Sequence, residues 1–283
     1  MKLRNLPHLF EITRDATVRL TTAGVDNSML DARLLIAEAL HSDCAQLLTQ
    51  PDRILTPEEA ARIESYINRR AAREPVARIL GLREFWGLPF GLNESTLEPR
   101  PDSETLIDVA LPFKPQTILD LGTGSGCLLL ALLHELPQAT GIGIDIAPRA
   151  IEQAQQNAAR LELQHRASFH VGDWFTGIAE KFDLIISNPP YIVAAEISEL
   201  MPEVRDHDPI MALDGGADGL DAYRHLIPQL SSHLNSNAHI VFEVGEGQAF
   251  MVRDLLQQSG FDTVNIHEDL AGVERSVCGI WPL

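Results

Sequence analysis

The 283-residue sequence predicts an α/β fold: an open, mostly parallel sheet wrapped by helices on both faces, preceded by a small helical bundle. Three observations carry this. From Thr117 onward, short apolar runs of strand length alternate with helix-length stretches, the pattern of successive βα units. The first such run, 118–121, leads directly into Gly122-Thr123-Gly124-Ser125-Gly126, where glycines let the backbone turn tightly and approach a ligand. The fourth, 182–187, leads into Asn188-Pro189-Pro190-Tyr191, a side-chain amide, two rigid residues and an aromatic ring. In open α/β sheets ligands sit beyond the carboxyl ends of strands, so both segments fall where a site belongs.

Taken in order, Leu9, Ile12, Ala16, Leu20 and Ala23 recur at helical spacing, with Gly24 as the stop. Asn27 or Ser28 can cap a second helix, whose inner face reads as Leu30, Leu34, Ala37 and Leu40, and a short helix covers 44–48. Thr56-Pro57-Glu58-Glu59 is a capping box with proline at the first helical position, opening a helix that runs through Ile63 and Ile67 toward Arg73. Residues 1–73 therefore form the expected helical domain. Between 74 and 97 short apolar pieces broken by Gly81, Gly87, Pro89, Gly91 and Asn93 predict a β-hairpin linker, and 98–283 form the α/β domain. Within it, a helix carries Leu106, Ile107, Val109 and Ala110, followed by strands at 118–121, 141–144, 167–171 and 182–187. Helices are expected at 127–136, 148–161, 221–234 and 250–258, and strands at 239–244, 264–267 and 276–281.

Composition narrows the function. Forty acidic against 22 basic residues give a formal charge of −18, which leaves no basic excess for tracking a phosphate backbone, so stable nucleic-acid binding is not expected. The apolar runs fall far short of a bilayer span, and the first 30 residues, with Lys2, Arg4, Glu11, Arg14, Asp15 and Arg19, lack the apolar core of a secretory signal. Cys44, Cys127 and Cys278 are widely spaced without a Cys-x-x-Cys pair, which fits reduced thiols in a cytoplasmic protein. His165, His170 and His207 show no ligand spacing, so no metal is expected.

Three successive strand ends supply a nucleoside site. The glycine turn opens a helix whose first N–H groups are unpaired. Asp145 ends the second strand, about 20 residues further on, where a carboxylate can accept from both ribose hydroxyls. Asp173-Trp174 follows the third, where an indole can lie against an adenine. The spacing is Gly-x-Gly-x-Gly, not the Gly-x-Gly-x-x-Gly of a dinucleotide fold, and no Arg or Lys sits in the turn to hold phosphate.

In this order, the glycine turn, Asp145, Asp173-Trp174 and Asn188-Pro189-Pro190-Tyr191 resemble the class I methyltransferases with a Rossmann-like fold, which use S-adenosylmethionine. The tetrad resembles their signature for methylating a planar nitrogen, which belongs either to a nucleic-acid base or to a protein glutamine. The stretches 83–90, 99–104 and 212–220 look like those of the HemK/PrmC family, and the resemblance covers essentially the whole chain. It implies a peptide-chain release factor glutamine methyltransferase that acts on the Gly-Gly-Gln loop of class-1 release factors, with S-adenosylhomocysteine as product and the N-terminal domain as docking module. A ribosomal-protein glutamine and an adenine N6 amino group remain the alternative substrates, although the ending at 272–277 looks more like the release-factor group. It also implies Asn188, Pro189, Pro190 and Tyr191 as catalytic residues, and Gly122, Thr123, Gly124, Ser125, Gly126, Asp145, Asp173, Trp174 and Asn188 as cofactor-binding ones. Two departures stand out: Asp208 where the family usually has Glu, and Ser236-Asn237 in place of a Gly-Gly turn before the fifth strand. Glu243 ends a buried strand and reads either as a border of the site or as a capping carboxylate.

Overall fold

The computed structural model describes residues 8–282. Lys2 and Arg4, counted above against a secretory signal, lie outside them. The chain divides into two units, one made of the described residues up to Gly81 together with Met201–His207, the other of Leu82–Leu200 and the described residues from Asp208 onward.

The first unit holds α1 (Leu9–Thr22), α2 (Ser28–Ala39), α3 (Cys44–Thr49), α4 (Pro57–Ala71) and α5 (Val76–Leu80). The capping box of α4 forms as its residues require: Thr56 accepts from the Glu59 N–H at 3.2 Å, and the Glu59 carboxylate accepts from the Thr56 N–H at 2.9 Å. The inner face of α2 differs from expectation. Ala37 and Leu40 are buried as expected, together with Ala32, Leu35, Ile36 and Ala39, whereas Leu30 and Leu34 are exposed. This helix is apolar on two sides, so spacing leaves the choice open, and the ion pair of Asp31 with Arg70 of α4 at 2.7 Å orients it. Residues 76–80 also differ: they form α5, not part of a hairpin, with Pro75 at its start and Gly81 closing it at φ 69°. The segment Met201–His207, with its single turn α9 (Pro202–Arg205), joins this unit through Glu203, which receives Arg70 at 3.0 Å and Arg73 at 2.6 Å. Burial pushes the Glu203 carboxyl up, but the Arg73 and Arg70 hydrogen bonds outweigh it and hold it down at about 2.

The second unit begins with a hairpin of β1 (Leu82–Phe85) and β2 (Leu88–Gly91), narrower than the expected 74–97. Trp86 and Gly87 both take positive φ, the geometry of a two-residue turn matched to strand twist. The main sheet comprises β3 (Thr117–Leu121), β4 (Thr140–Asp145), β5 (Ala167–Val171), β6 (Phe182–Ser187), β7 (Leu234–Glu243), β8 (Thr263–Glu268) and β9 (Glu274–Ile280), in the order β5-β4-β3-β6-β7-β9-β8. It is parallel except at β9, which runs antiparallel to both neighbours.

Successive residues of the central strands enter opposite cores. Ile118, Leu184, Ile186 and Val241 pack with α6 (Glu104–Ala110), α7 (Cys127–Glu135) and α8 (Pro148–Arg160). Leu119, Leu121, Ile185, Ile240 and Phe242 pack with α10 (Asp221–Leu226) and α11 (Ala249–Gln258). Strands buried on both faces must be continuously apolar, which is why these runs were visible. Pro228 stops the expected helix over 221–234, and the chain continues as a 3-10 turn over Ile227–Ser232. Ser236-Asn237 lies inside β7, where the pairing with β6 is irregular, and Asn237 takes φ 61°, a conformation glycine adopts at no cost.

Candidate active site

The chain leaves β3 toward β4 and β5 on one side and returns to β6 on the other, so strand order reverses between β3 and β6. A cavity of about 390 Å³ opens at their carboxyl ends. Gly122, Thr123, Gly124, Ser125, Asp145, Asp173 and Trp174 line it on the β3–β5 side, and Asn188 and Pro190 on the β6 side. Of the predicted residues, Gly126, Pro189 and Tyr191 stand outside this lining. Gly126 caps α7 at φ 81°, where an added Cβ would meet Leu130, Ala154 and Phe169 at 3.2–3.3 Å. Pro189 is buried, and Tyr191 donates its hydroxyl to Glu243, 3.2 Å away.

Backbone groups dominate the β3–β5 side. Gly122 and Gly124 take φ of 71° and 55°, the left-handed region that favours glycine, and an added Cβ on Gly122 would meet the Trp174 ring at 3.6 Å, an ordinary contact, so the backbone conformation and not lack of space calls for glycine here. Asp145 ties the turn to its own strand: Oδ2 accepts from the Gly124 N–H and Oδ1 from the Ala147 N–H, both at 2.9 Å. Burial raises its pKa, while those N–H groups pull the other way. Below the turn, Thr123 donates to Asp120 Oδ2 at 2.6 Å, and burial pushes the Asp120 carboxyl up to about 7. Asn157 of α8 donates to the carbonyls of Ser125 and Gly91 and accepts from the Gly91 N–H, which locks the hairpin to the glycine turn.

The tetrad side is held by side chains from distant segments. Ser187 donates to the Leu121 carbonyl at 2.6 Å, joining the ends of β6 and β3. Asn188 Nδ2 donates to Ser103 Oγ at 3.3 Å, and Gln248 Nε2 donates to the Tyr191 carbonyl at 2.9 Å. The stretch 212–220 cradles the tetrad: the Ile192 N–H donates to Leu213, and Gly215 lies so close that a Cβ would meet the Tyr191 backbone at 2.7 and 2.8 Å. Glu243, at the end of β7, is 1% exposed, and burial pushes its carboxyl up to about 7 despite the Ser103 hydroxyl, the Arg275 charge and the Tyr191 hydroxyl. Asp208 binds Arg100 at 2.6 Å and the Glu98 N–H at 3.4 Å, bringing Arg100 and Pro209 into the cavity wall.

The sequence matches the PrmC N-terminal domain over residues 11–81 and a methyltransferase domain over 113–214. A release factor glutamine methyltransferase of Rhodospirillum rubrum is 50% identical over 260 residues, covering 91% of this chain and 80% of its own. Its counterpart in Bradyrhizobium diazoefficiens is 47% identical over 272 residues, 93% and 92% of the two chains. The chain belongs to the release factor glutamine methyltransferase family. Among solved structures, the hMettl16 catalytic domain in complex with MAT2A 3'UTR hairpin 6 superposes with a TM-score of 0.59 at 17% identity, over 73% of this chain and 81% of that one. A Pyrococcus furiosus methyltransferase gives 0.56 at 15%, over 78% and 100%. These two likenesses show the class I methyltransferase fold.

Membership in a methyltransferase family implies S-adenosylmethionine, and the residues present fit it. Glycines bare of Cβ, a carboxylate at a strand end and an indole face converge on one cavity, without a basic residue in the turn. Ser103, Gln248, Asn157 and Arg100 join these residues in the structure. Ser103 and Arg100 lie in the 99–104 stretch that resembles the family, whereas nothing in the sequence near Asn157 or Gln248 marks a site.

Proposed function

We propose that this release factor glutamine methyltransferase transfers a methyl group from S-adenosylmethionine to the side-chain amide nitrogen of the glutamine in the Gly-Gly-Gln loop of class-1 release factors. The observation that carries this reading is that Asn188 and Pro190 share one cavity with the glycine turn, Asp145 and Trp174. S-adenosylmethionine, cradled by residues 122–125, Asp145 and Trp174, supplies an electrophilic methyl group on a sulfonium centre.

A carboxamide nitrogen is a poor nucleophile because its lone pair is delocalised into the carbonyl, so the protein acts by placement. The Asn188 side-chain oxygen accepts one amide hydrogen and the Pro189 carbonyl the other. Both acceptors grow more favourable as positive charge develops on the nitrogen, which stabilises the transition state more than the ground state. Pro189 and Pro190 lack N–H groups, so no donor competes at the turn. Tyr191, anchored at its hydroxyl and its carbonyl, holds the flat amide in line, and alignment of this kind contributes several kcal/mol.

The test is incubation with labelled S-adenosylmethionine, a class-1 release factor and a large-subunit ribosomal protein, followed by mass mapping. Label on the Gly-Gly-Gln glutamine is expected. Label confined to the ribosomal protein would overturn the substrate assignment.

A further inference from the structure

Glu243 occupies an unusual position for an acidic side chain. It is 1% exposed, at the carboxyl end of β7, where the register Ser187↔Phe242 sets it beside Asn188 on the neighbouring parallel strand end. Its Oε1 accepts from the Tyr191 hydroxyl at 3.2 Å, and its backbone carbonyl accepts from the Tyr223 hydroxyl at 2.7 Å. Its Oε2 makes no hydrogen bond among the described residues. A carboxylate buried with an oxygen unsatisfied is costly, and native folds tolerate such a group mainly where it serves a site.

Its surroundings point the same way. The Ser103 hydroxyl, 3% exposed, lies against the carboxylate and also lines the cavity. The same hydroxyl accepts from Asn188 Nδ2 at 3.3 Å. Asn188 and Tyr191, the two ends of the tetrad, are thus each one contact or two from a single buried carboxylate. With Nδ2 committed to Ser103, the carbonyl oxygen is the part of the Asn188 amide left to serve a substrate in the cavity that this residue lines. An asparagine free to flip would present its NH₂ group there half the time, a donor where the substrate amide needs an acceptor.

We propose that Glu243 is a positioning residue for methyl transfer, fixing the orientation of Asn188 through Ser103 and of Tyr191 through its hydroxyl. The inference rests on the reading of Asn188 as the substrate-amide acceptor. Glu243 touches neither reactant, and its whole effect passes through the tetrad. Ser103 has the same standing, as the relay between carboxylate and amide.

The experiment is steady-state kinetics on the full chain with a release factor as substrate, for Glu243→Ala, Glu243→Gln and Ser103→Ala, each in the wild-type and Asn188→Ala backgrounds. Glu243→Ala is expected to lower kcat by about 100-fold, a loss of transition-state orientation, with S-adenosylhomocysteine affinity changed by less than about threefold. Glu243→Gln keeps an acceptor for Tyr191 and nearly the same volume, so it should recover roughly tenfold of that loss. In the Asn188→Ala background the Glu243→Ala effect should shrink to less than about tenfold, because residues acting as one unit are not additive. A kcat unchanged in Glu243→Ala, or an equal loss in both backgrounds, would overturn the positioning role while leaving Asn188 in place. Normal turnover of Asn188→Ala itself would instead overturn the reading beneath it. Should Glu243→Ala fail to fold, Glu243→Gln and Ser103→Ala carry the same comparison, and a loss that follows melting temperature or cofactor affinity would contradict the proposal.

Discussion

The two walls of the cavity are built differently. On the β3–β5 side the shape comes from the backbone: glycines at positive φ and N–H groups gathered by Asp145, with the Trp174 ring beside Gly122. On the β6 side it comes from side chains reaching in from residues 103, 243 and 248, with Gly215 wedged against Tyr191. The first wall is local, contained in the two successive βαβ units of β3–β5, whereas the second is assembled across the sheet. A binding surface for an invariant cofactor can be cast in backbone, while a surface that must hold one hydrogen-bonding face of an amide needs side chains whose orientation is enforced from behind.

If the walls are separable, damage to one should spare the other. The largest effect on cofactor affinity is expected for Asp145→Ala, which removes the acceptor of the Gly124 and Ala147 N–H groups. S-adenosylhomocysteine affinity should fall about 100-fold by calorimetry, with kcat at saturating cofactor nearly kept. Next is Gly215→Ala. Its Cβ would lie 2.7 to 2.9 Å from backbone atoms of Tyr191 and Gly219, which cannot move like a side-chain tip. Turnover should drop roughly tenfold and stability by about 1–3 kcal/mol, read by denaturant unfolding, while cofactor affinity holds.

The smallest effect lies outside the cavity, in the helical unit. Because the Glu203 carboxyl is held at about 2 against an ordinary 4.5, its contribution is fully present above pH 4.5 and is lost as pH falls through about 2. Solvent screening reduces what this partly exposed pair contributes, so Glu203→Gln should lower the melting temperature at pH 7 by about 2 °C, and the difference from wild type should close as pH falls from 4.5 toward 2.

What the sequence made legible follows the same division. The strands β3 and β6, the capping box of α4 and the glycine turn are short-range patterns, and each appears within a residue or two of its expected place, whereas β7 starts at Leu234, five residues before the expected 239, a start masked by polar Asn235, Ser236 and Asn237, which interrupt the apolar run. Leu30 and Leu34 were misassigned because α2 is apolar on two sides and only the Asp31–Arg70 pair selects one. Residues 76–80 were read as strand because a single helical turn before a glycine is too short to show a period. Asp145 and Trp174 could be found by their place after strands. Ser103 and Gln248 could not, since their partners lie 85 and 57 residues away and nothing near them in the chain marks the contact.

The central claim, that Asn188 acts on the substrate amide and not on cofactor binding, is tested most directly by one paired measurement on Asn188→Ala: single-turnover methylation of a release factor, and calorimetric binding of S-adenosylhomocysteine. The methylation rate should fall by about 100-fold or more, with affinity within about fivefold of wild type. A rate near wild type in the folded variant, or a rate loss matched by an equal loss of affinity, would contradict it.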